Sequence, residues 1–429
     1  MSQRAGEEQQ LTEVPLGWRA RLRQVGPGMM AAATGVGAGD LVATMVAGSR
    51  YGYTLLWAVI VGTIFKVALA EAVGRWHLTS GQTILAGWRS LGKTVLVYFG
   101  AYAVVWGFVY GATAMSASAL PLNALFPGLS VRYWAIICGL IGFALVWFGR
   151  YALIEKIMTI FVGIMFVTVV GTAILVAPNL LDAADGLVPR LPSGSFVYVM
   201  GLIGGVGGTI TMAAYGYWTM AKGWRSPKWL PMMRLDNTVG YITTAIFVLA
   251  MLVVGAELLF GQDVISGDAG LLMLGDILAN DYGQWARIPF LIGFFAVSFT
   301  SLIGVWNGVS LLFADWWRTW RLPSGAADSA DDYDRKAGER SPAFRAYVLW
   351  LTFPPMALLF LDRPFQLTVT YGVLGALFMP FLAGTLLVLL NSRRVPNEAR
   401  SRWMSNGLLT ICLVLFAYLA VNEIIGLFE

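Results

Sequence analysis

The sequence predicts an all-α polytopic membrane protein built from two inverted five-helix repeats and an eleventh helix. Hydrophobic residues make up 58% of its 429 residues and charged residues only 12%, about half the charged fraction of a soluble domain. Apolar runs of about 20 residues, each long enough to cross a bilayer, recur along the chain. Two of these runs, at corresponding positions in the two halves, are interrupted by glycines, as in the binding-site helices of many secondary transporters.

Eleven apolar spans can be placed from hydropathy and loop composition. Their positions are 26–49, 53–74, 95–120, 132–149, 154–177, 197–221, 238–260, 288–313, 345–361, 367–391 and 405–427. With the N-terminus inside, 23 of the 29 Lys and Arg residues fall on the cytoplasmic side, five fall outside, and Lys66 lies within a span. This asymmetry predicts a multi-pass plasma-membrane protein with a cytoplasmic N-terminus and an external C-terminus.

The spans divide the chain into regions. A polar tail, 1–24, lacks a cleavable signal pattern and is expected to stay in the cytoplasm. The first repeat occupies 25–178, the second 196–391 and the eleventh span 404–429. The second repeat contains a charged linker, 322–343, with few aliphatic residues, which predicts a loosely held or disordered segment.

The stretch 26–48 of the first span contains the segment TGVGAGD. Gly35, Gly37 and Gly39 disfavour an uninterrupted helix there, since each glycine costs about 1 kcal/mol relative to alanine. Asp40 is a carboxylate in an apolar segment, where such groups are rare and usually functional. The segment therefore predicts a discontinuous helix around a substrate site, with Asp40 as a ligand and also able to cap the second half-helix.

A second interrupted stretch, 201–216, reads GLIGGVGGTITMAAYG. Together the two breaks offer a carboxylate, backbone carbonyls and hydroxyls. The candidate substrate-binding residues are Asp40, Gly37, Gly39, Thr34, Gly208, Thr209 and Thr211. Asp40 is the candidate metal ligand, and no resident cofactor is expected, only a transported divalent cation.

Two further charges lie in the second span. Lys66 is near its middle, and we hypothesise that it faces the bundle and neutralises Asp40 or takes the place of a coupling cation. The alternative is that Lys66 snorkels to an interface, as Glu71 is expected to do. A Lys66–Asp40 pair would favour an organic substrate over a metal. Elsewhere, Glu155 is expected to form a cytoplasmic ion pair, and Asp236 to pair with Arg234.

Several function classes have no support in the sequence. The two cysteines lie within apolar spans, and with the single histidine they do not form a zinc site. We expect that histidine, His77, to lie in a loop. The sequence contains no phosphate-binding loop and no nucleophile paired with a base, so an enzyme is not predicted. The expected partners are the lipid bilayer and a small ion or small molecule, not nucleic acid.

Several segments resemble the Nramp (natural resistance-associated macrophage protein) family. GPGMMAAATGVGAGDLVATMVAGSRYGYTLLW is similar to that family's opening, where GPG, AG and YGY-LLW flank a DPGN motif. PLNALF resembles the end of its third span, GRYALIEKIMTIFVGIMF its fifth, RLDN at 234–237 the start of its seventh and LFMPFLAGTLLVLLN its tenth. The resemblance implies a leucine-transporter-like fold of eleven or twelve helices that moves divalent transition metals, usually with protons.

The family's signature residues are replaced in this chain. DPGN falls on 37–40, so the metal-binding Asp becomes Gly37 and the Asn becomes Asp40. The sixth-span Met-Pro-His motif falls near Gly208, the third-span acids on Gly111 and Ala114, and the tenth-span Gln near Phe378. These replacements weaken the expectation of proton coupling and of transition-metal selectivity.

Three functions remain open from the sequence. The first is transport of Mg²⁺ or Mn²⁺ at an all-oxygen site. The second is transport of a small amino or carboxylic acid in a glycine-lined cavity walled by aromatics, namely Trp106, Tyr110, Tyr215, Tyr217, Trp218 and Trp306, with Asn307 beside them. The third is a receptor or scaffold that does not transport.

Overall fold

The computed structural model describes residues 14, 17–205, 208–261, 268–323, 333, 337–361 and 364–426. Every regular element in these ranges is a helix. Within these ranges, eight continuous helices are long and apolar enough to cross a membrane, and two broken helices and a tenth-span helix accompany them. The eleven predicted spans are therefore all present as helices.

The helices extend one to several residues beyond most of the predicted spans. In chain order they are Pro27–Gly35 with Ala38–Tyr51, Leu56–Ser80, Lys93–Leu125, Val131–Phe148, Tyr151–Leu175, Phe196–Gly205 with Tyr215–Ala221, Leu230–Leu259, Gln284–Arg321, Pro342–Leu361, Pro364–Leu390 and Trp403–Gly426. Shorter helices cover Trp18–Leu22, Ile84–Leu91, Leu180–Asp185 and Asp268–Tyr282.

The first and sixth spans are broken where the glycine patterns predict. The first half of the first span ends at Gly35, and Val36 has an extended backbone. In the sixth span the helix ends at Gly205, Gly208 has φ +90°, and a 3-10 segment, Ile210–Ala214, leads into the second half. A positive φ of this size strains any residue except glycine, which explains a glycine at this position.

The predicted capping role of Asp40 is wrong. The second half of the first span begins at Ala38, so Asp40 is the third residue of that helix and not its cap. Only Val36 and Gly37 are unwound, so the helix starts two residues before Asp40. A carboxylate in the first turn of a helix is stabilised by the N-terminal end of the helix dipole.

Glycines let the first and seventh spans pack backbone to backbone. A Cβ atom at Gly240 would lie 2.3 Å from the carbonyl oxygen of Gly28, and one at Gly48 would lie 2.4 Å from that of Leu252. Close contacts between small residues are the usual way in which membrane helices associate. The 38-residue eighth span lies at the centre of the bundle and is buried along much of its length.

The linker between the eighth and ninth spans is anchored at the residues that the structure describes, so the prediction of a loosely held segment is wrong for them. Tyr333 is buried, with its ring centroid 5.0 Å from that of Tyr217. Glu339 accepts hydrogen bonds from Asn307 Nδ2 at 3.0 Å and from the backbone N–H of Tyr151 at 3.1 Å. Composition did not reveal these anchors because a few long-range contacts hold a segment that has few aliphatic residues.

Removing the Glu339 carboxylate is expected to release this linker. Ala337, two residues away, is almost fully buried. In a protein whose two native cysteines are replaced, Ala337→Cys should react with a water-soluble maleimide about tenfold faster when Glu339→Ala is added, since the two hydrogen bonds that hold the linker are lost. The rate is measured relative to that of Gly17→Cys, which lies on an exposed helix cap. Equal relative rates with and without Glu339→Ala would contradict the anchor.

The same anchor should depend on pH. Burial raises the pKa of Glu339, an effect partly offset by its hydrogen bonds to Asn307 and Tyr151. The folded contact therefore favours the protonated form of Glu339. The contribution of Glu339 to the stability of the contact is complete below the ordinary glutamate pKa of about 4.3, and it is lost as pH rises through the raised pKa. The relative labelling rate of Ala337→Cys should accordingly increase with pH across that window.

Candidate functional site

The two helix breaks lie against each other in the bundle. A Cβ atom at Gly208 would lie 2.9 Å from the Cα of Gly35 and 2.8 Å from the hydroxyl of Thr211. The unwound backbone of the sixth span thus contacts the end of the first half-helix of the first span. Irregular backbone at membrane depth occurs where it is buried in protein or lines a cavity, so this junction is the candidate substrate site.

Lys66 reaches the junction from the second span. Its side chain is 0% exposed, and its ammonium donates a hydrogen bond to the carbonyl oxygen of Gly208 at 2.5 Å. The ammonium also lies 4.0 Å from Met379 Sδ on the tenth span and 5.6 Å from the ring centroid of Phe416 on the eleventh. Lys66 therefore faces the bundle, and the snorkelling alternative is wrong. Its pairing with Asp40 stays a prediction, because the side chain of Asp40 lies outside the described residues.

Thr34 carries a polar group suited to a ligand. Its hydroxyl is buried and has no hydrogen-bond partner among the described residues. Its carbonyl accepts a hydrogen bond from Ser301 at 2.9 Å, and that serine lies 2.8 Å from the hydroxyl of Tyr110. A Cβ atom at Gly304 would lie 2.0 Å from the Thr34 hydroxyl, so the eighth span packs closely against it. A buried hydroxyl without a partner is costly, which favours a bound ion or molecule nearby.

The other predicted site residues lie in the same region. Gly37 is in the first-span break, and Gly39 follows it within the helix Ala38–Tyr51. Thr211 is buried, and Thr209 is half-buried, with its methyl carbon 3.1 Å from a Cβ atom built at Gly375 of the tenth span. The described residues contain no group of three or more His, Cys, Asp and Glu side chains that could hold a metal ion.

The aromatic residues expected to wall an organic cavity are engaged in packing and internal hydrogen bonds. Tyr217 donates to Asp315 at 2.6 Å, and Trp218 donates to Asn307 at 2.9 Å. Trp106 stacks on Tyr110, with ring centroids 4.6 Å apart. Tyr110 is hydrogen-bonded to the eighth span and Tyr215 to the seventh, and Trp306 is buried. These contacts do not favour a cavity wall, which stays a prediction.

Asp236 joins three spans at the predicted cytoplasmic side. Its two oxygens accept hydrogen bonds from the backbone N–H groups of Gly26 at 2.8 Å and Gly28 at 2.6 Å, and Tyr215 donates to it at 2.9 Å. The carboxylate thus satisfies the free N–H groups at the start of the first span, where the helix dipole also favours an anion. The predicted pairing of Asp236 with Arg234 is wrong, because Asp236 is fully buried whereas Arg234 points outward.

Ion pairs surround the same helix end. The pair predicted for Glu155 is confirmed, and its partner is Lys222 at 2.5 Å. Glu71 bridges Arg75 at 3.1 Å and Arg234 at 3.0 Å. Together with the hydrogen bonds of Asp236, these ion pairs link the first, second, fifth, sixth and seventh spans at one end of the bundle.

Sequence reasoning missed three features of the bundle. His77 is buried within the second-span helix, 3.2 Å from the carbonyl oxygen of Trp224, and is not in a loop. Met379 on the tenth span places its thioether near the Lys66 ammonium. Only its neighbour Phe378 was identified from sequence, as the position of the family's glutamine. One sequence feature could have suggested the hydrogen bonds of Asp236, namely a carboxylate at the start of the seventh span together with the glycine-rich start of the first span.

The family of the chain follows from its sequence as a whole. Residues 28–426 match the family described as natural resistance-associated macrophage protein-like. The chain belongs to the Nramp family. An uncharacterised protein of Pasteurella multocida is 25% identical over 310 residues, which cover 68% of this chain and 70% of that protein. The divalent metal cation transporter MntH of Chromohalobacter salexigens is 30% identical over 188 residues, 42% of either chain.

Solved structures confirm the leucine-transporter-like fold. The manganese transporter of Eremococcus coleocola superposes with a TM-score of 0.77 at 17% identity, covering 97% of this chain and 90% of that one. Mhp1, a nucleobase-cation-symport-1 transporter, superposes with a TM-score of 0.57 at 13% identity over 94% of this chain and 91% of its own. The Nramp member is thus a multi-pass helical membrane protein in which two broken helices meet.

Proposed function

We propose that this Nramp protein transports a divalent cation resembling Mg²⁺ or Mn²⁺ through the junction of its two broken spans. The observation that carries the proposal is the contact between the breaks at Gly35 and Gly208, with the unpartnered Thr34 hydroxyl beside it. Family membership and the names of the relatives support the same substrate class. We further propose a plasma-membrane location with the N-terminus in the cytoplasm, which the distribution of Lys and Arg supports.

The proposed ligands are oxygen atoms. Asp40 supplies a carboxylate, Thr34, Thr209 and Thr211 supply hydroxyls, and the unwound backbone at Gly37 supplies a carbonyl. The carbonyl of Gly208 joins them when the Lys66 ammonium moves away from it. Oxygen ligands suit hard cations, and a site with one carboxylate leaves room for the waters that Mg²⁺ retains. Among family positions, the metal-binding Asp falls on Gly37 and the Met-Pro-His motif near Gly208, so the site is a remodelled one.

Uptake into proteoliposomes tests this function. Purified protein is reconstituted, and entry of Mn²⁺ and Mg²⁺ is followed with internal fluorescent indicators, alongside protein-free liposomes. The proposal predicts saturable entry of at least one of these cations and competition between them. Absence of cation entry, together with saturable uptake of a radiolabelled amino or carboxylic acid, would overturn it in favour of an organic substrate.

Replacing Lys66 with methionine is expected to tighten cation binding by tenfold or more. The substitution removes a buried positive charge from the junction and frees the Gly208 carbonyl oxygen, and like charges repel strongly at low dielectric. Isothermal titration with Mn²⁺ measures the change, and Lys66→Arg, which keeps the charge, should bind like the wild type. Weaker binding by Lys66→Met would contradict this role and indicate that the ammonium itself holds an anionic substrate.

A further inference from the structure

A large groove runs between the second, seventh and eleventh spans, away from the helix breaks. It has a volume of about 1290 Å³ and is lined by residues from the middle of the second span to its predicted cytoplasmic end. The loop that joins the tenth and eleventh spans closes one side of it. A groove of this size on the outer surface of a membrane bundle can take part of a lipid molecule.

The two ends of the groove differ in character. Towards the membrane centre its walls are apolar and include Ile64 and Ile242, both of which are exposed on the outside of the bundle. Towards the predicted cytoplasmic side its lining contains four arginines and one carboxylate, namely Arg75, Arg234, Arg400, Arg402 and Glu71. The described lining therefore carries three more positive than negative charges at one end and hydrocarbon at the other.

The arginines are only partly neutralised by their neighbours. Glu71 is shared between Arg75 at 3.1 Å and Arg234 at 3.0 Å. Arg75 is held in place by the hydroxyl of Ser405 at 2.7 Å. Arg234 keeps 57% of its side chain exposed, so it can donate to an incoming anion without leaving Glu71.

We propose that this groove binds an anionic glycerophospholipid of the cytoplasmic leaflet. Its phosphate would lie on Arg234, Arg400 and Arg402, because guanidinium groups pair with phosphate oxygens through two parallel hydrogen bonds. An acyl chain would lie along the apolar wall at Ile64 and Ile242, which a soluble anion would leave uncovered. Basic pockets between membrane helices on the cytoplasmic side are typical sites for anionic head groups.

The position of the groove agrees with the height of a lipid head group. Trp403 begins the eleventh span at the basic end of the groove and is 82% exposed. Exposed tryptophans of this kind lie at the boundary between head groups and hydrocarbon. The proposed lipid site depends on the charge and shape of the bundle surface. It is therefore independent of which substrate the protein transports.

Native mass spectrometry of the full-length protein in detergent tests this site, with phosphatidylglycerol and phosphatidylcholine as probes. Phosphatidylglycerol is expected to bind at least tenfold more tightly. The double variant Arg234→Gln/Arg402→Gln should bind it about thirtyfold more weakly and bind phosphatidylcholine as before, given the attraction that each basic residue exerts on anionic lipid. Arg402→Gln alone, which changes an exposed side chain, should weaken binding about fivefold.

Arg190→Gln is the matched control. Arg190 is also an exposed arginine with a carboxylate partner, Asp185 at 2.6 Å, but it lies on the opposite, predicted external side. This variant should bind phosphatidylglycerol like the wild type. Equal affinity for the two lipids, or unchanged phosphatidylglycerol affinity in the double variant, would overturn the proposal. Displacement of the lipid by an equal concentration of inorganic phosphate would also overturn it and identify a site for free anions.

Discussion

Replacing Asp40 with alanine is expected to abolish saturable uptake of Mn²⁺ and Mg²⁺. Asp40 supplies the one carboxylate among the proposed ligands, and it lies in the first turn of the half-helix that follows the break. Without it, neutral oxygens alone would have to replace the hydration shell of a dication, and such a site binds hard divalent cations weakly. Proteoliposome flux should fall to the level of protein-free liposomes, and titration should show at least a hundredfold loss of affinity.

Two variants separate the role of Asp40 from general effects of charge. Asp40→Asn keeps the size and one carbonyl oxygen, and it should retain only weak binding. Asp276→Ala removes a mostly exposed carboxylate that pairs with Arg287 at 3.4 Å in the predicted external region, and its uptake should equal that of the wild type. Wild-type uptake by Asp40→Ala, in protein that elutes as a single folded species, would remove Asp40 from the site.

Replacing Asp236 with alanine is expected to cause a large loss of stability. The substitution leaves the N–H groups of Gly26 and Gly28 and the hydroxyl of Tyr215 without their acceptor in a buried region. Hydrogen bonds to a charged group contribute about 1.5–3 kcal/mol each, so a total loss of about 3 kcal/mol or more is expected. Thermal unfolding in detergent, followed by intrinsic tryptophan fluorescence, measures the change in Tm.

The controls for Asp236 test whether the hydrogen bonds or the charge matters. Asp236→Asn keeps one acceptor oxygen and should lose about half as much stability. Asp185→Ala removes a carboxylate that is 57% exposed, and it should leave Tm nearly unchanged, as is usual for a surface ion pair. If Asp236→Ala unfolds at the wild-type temperature, Asp236 does not hold the first span in place.

The spans and their breaks were predictable because their signals are local. Apolar length defines each helix, and the glycines around Gly37 and Gly208 mark where the backbone unwinds. The contacts of Asp236 and Glu339 were not predictable, because each joins residues far apart in sequence: Asp236 contacts Gly28, 208 positions away, and Glu339 contacts Tyr151, 188 positions away. The aromatic residues suggested a cavity wall from sequence alone, whereas the polar atoms of Tyr217 and Trp218 are hydrogen-bonded within the bundle.

The most direct measurement is anomalous X-ray scattering from crystals of the protein soaked with Mn²⁺. The proposal predicts one strong peak at the junction of the two broken spans, within about 2–2.5 Å of an Asp40 carboxylate oxygen, as expected for a hard cation bound by oxygen. The same soak of Asp40→Ala should show no peak there. A wild-type crystal with no peak at the junction at saturating Mn²⁺, or with its peak only at the predicted external surface, would contradict metal transport through this site.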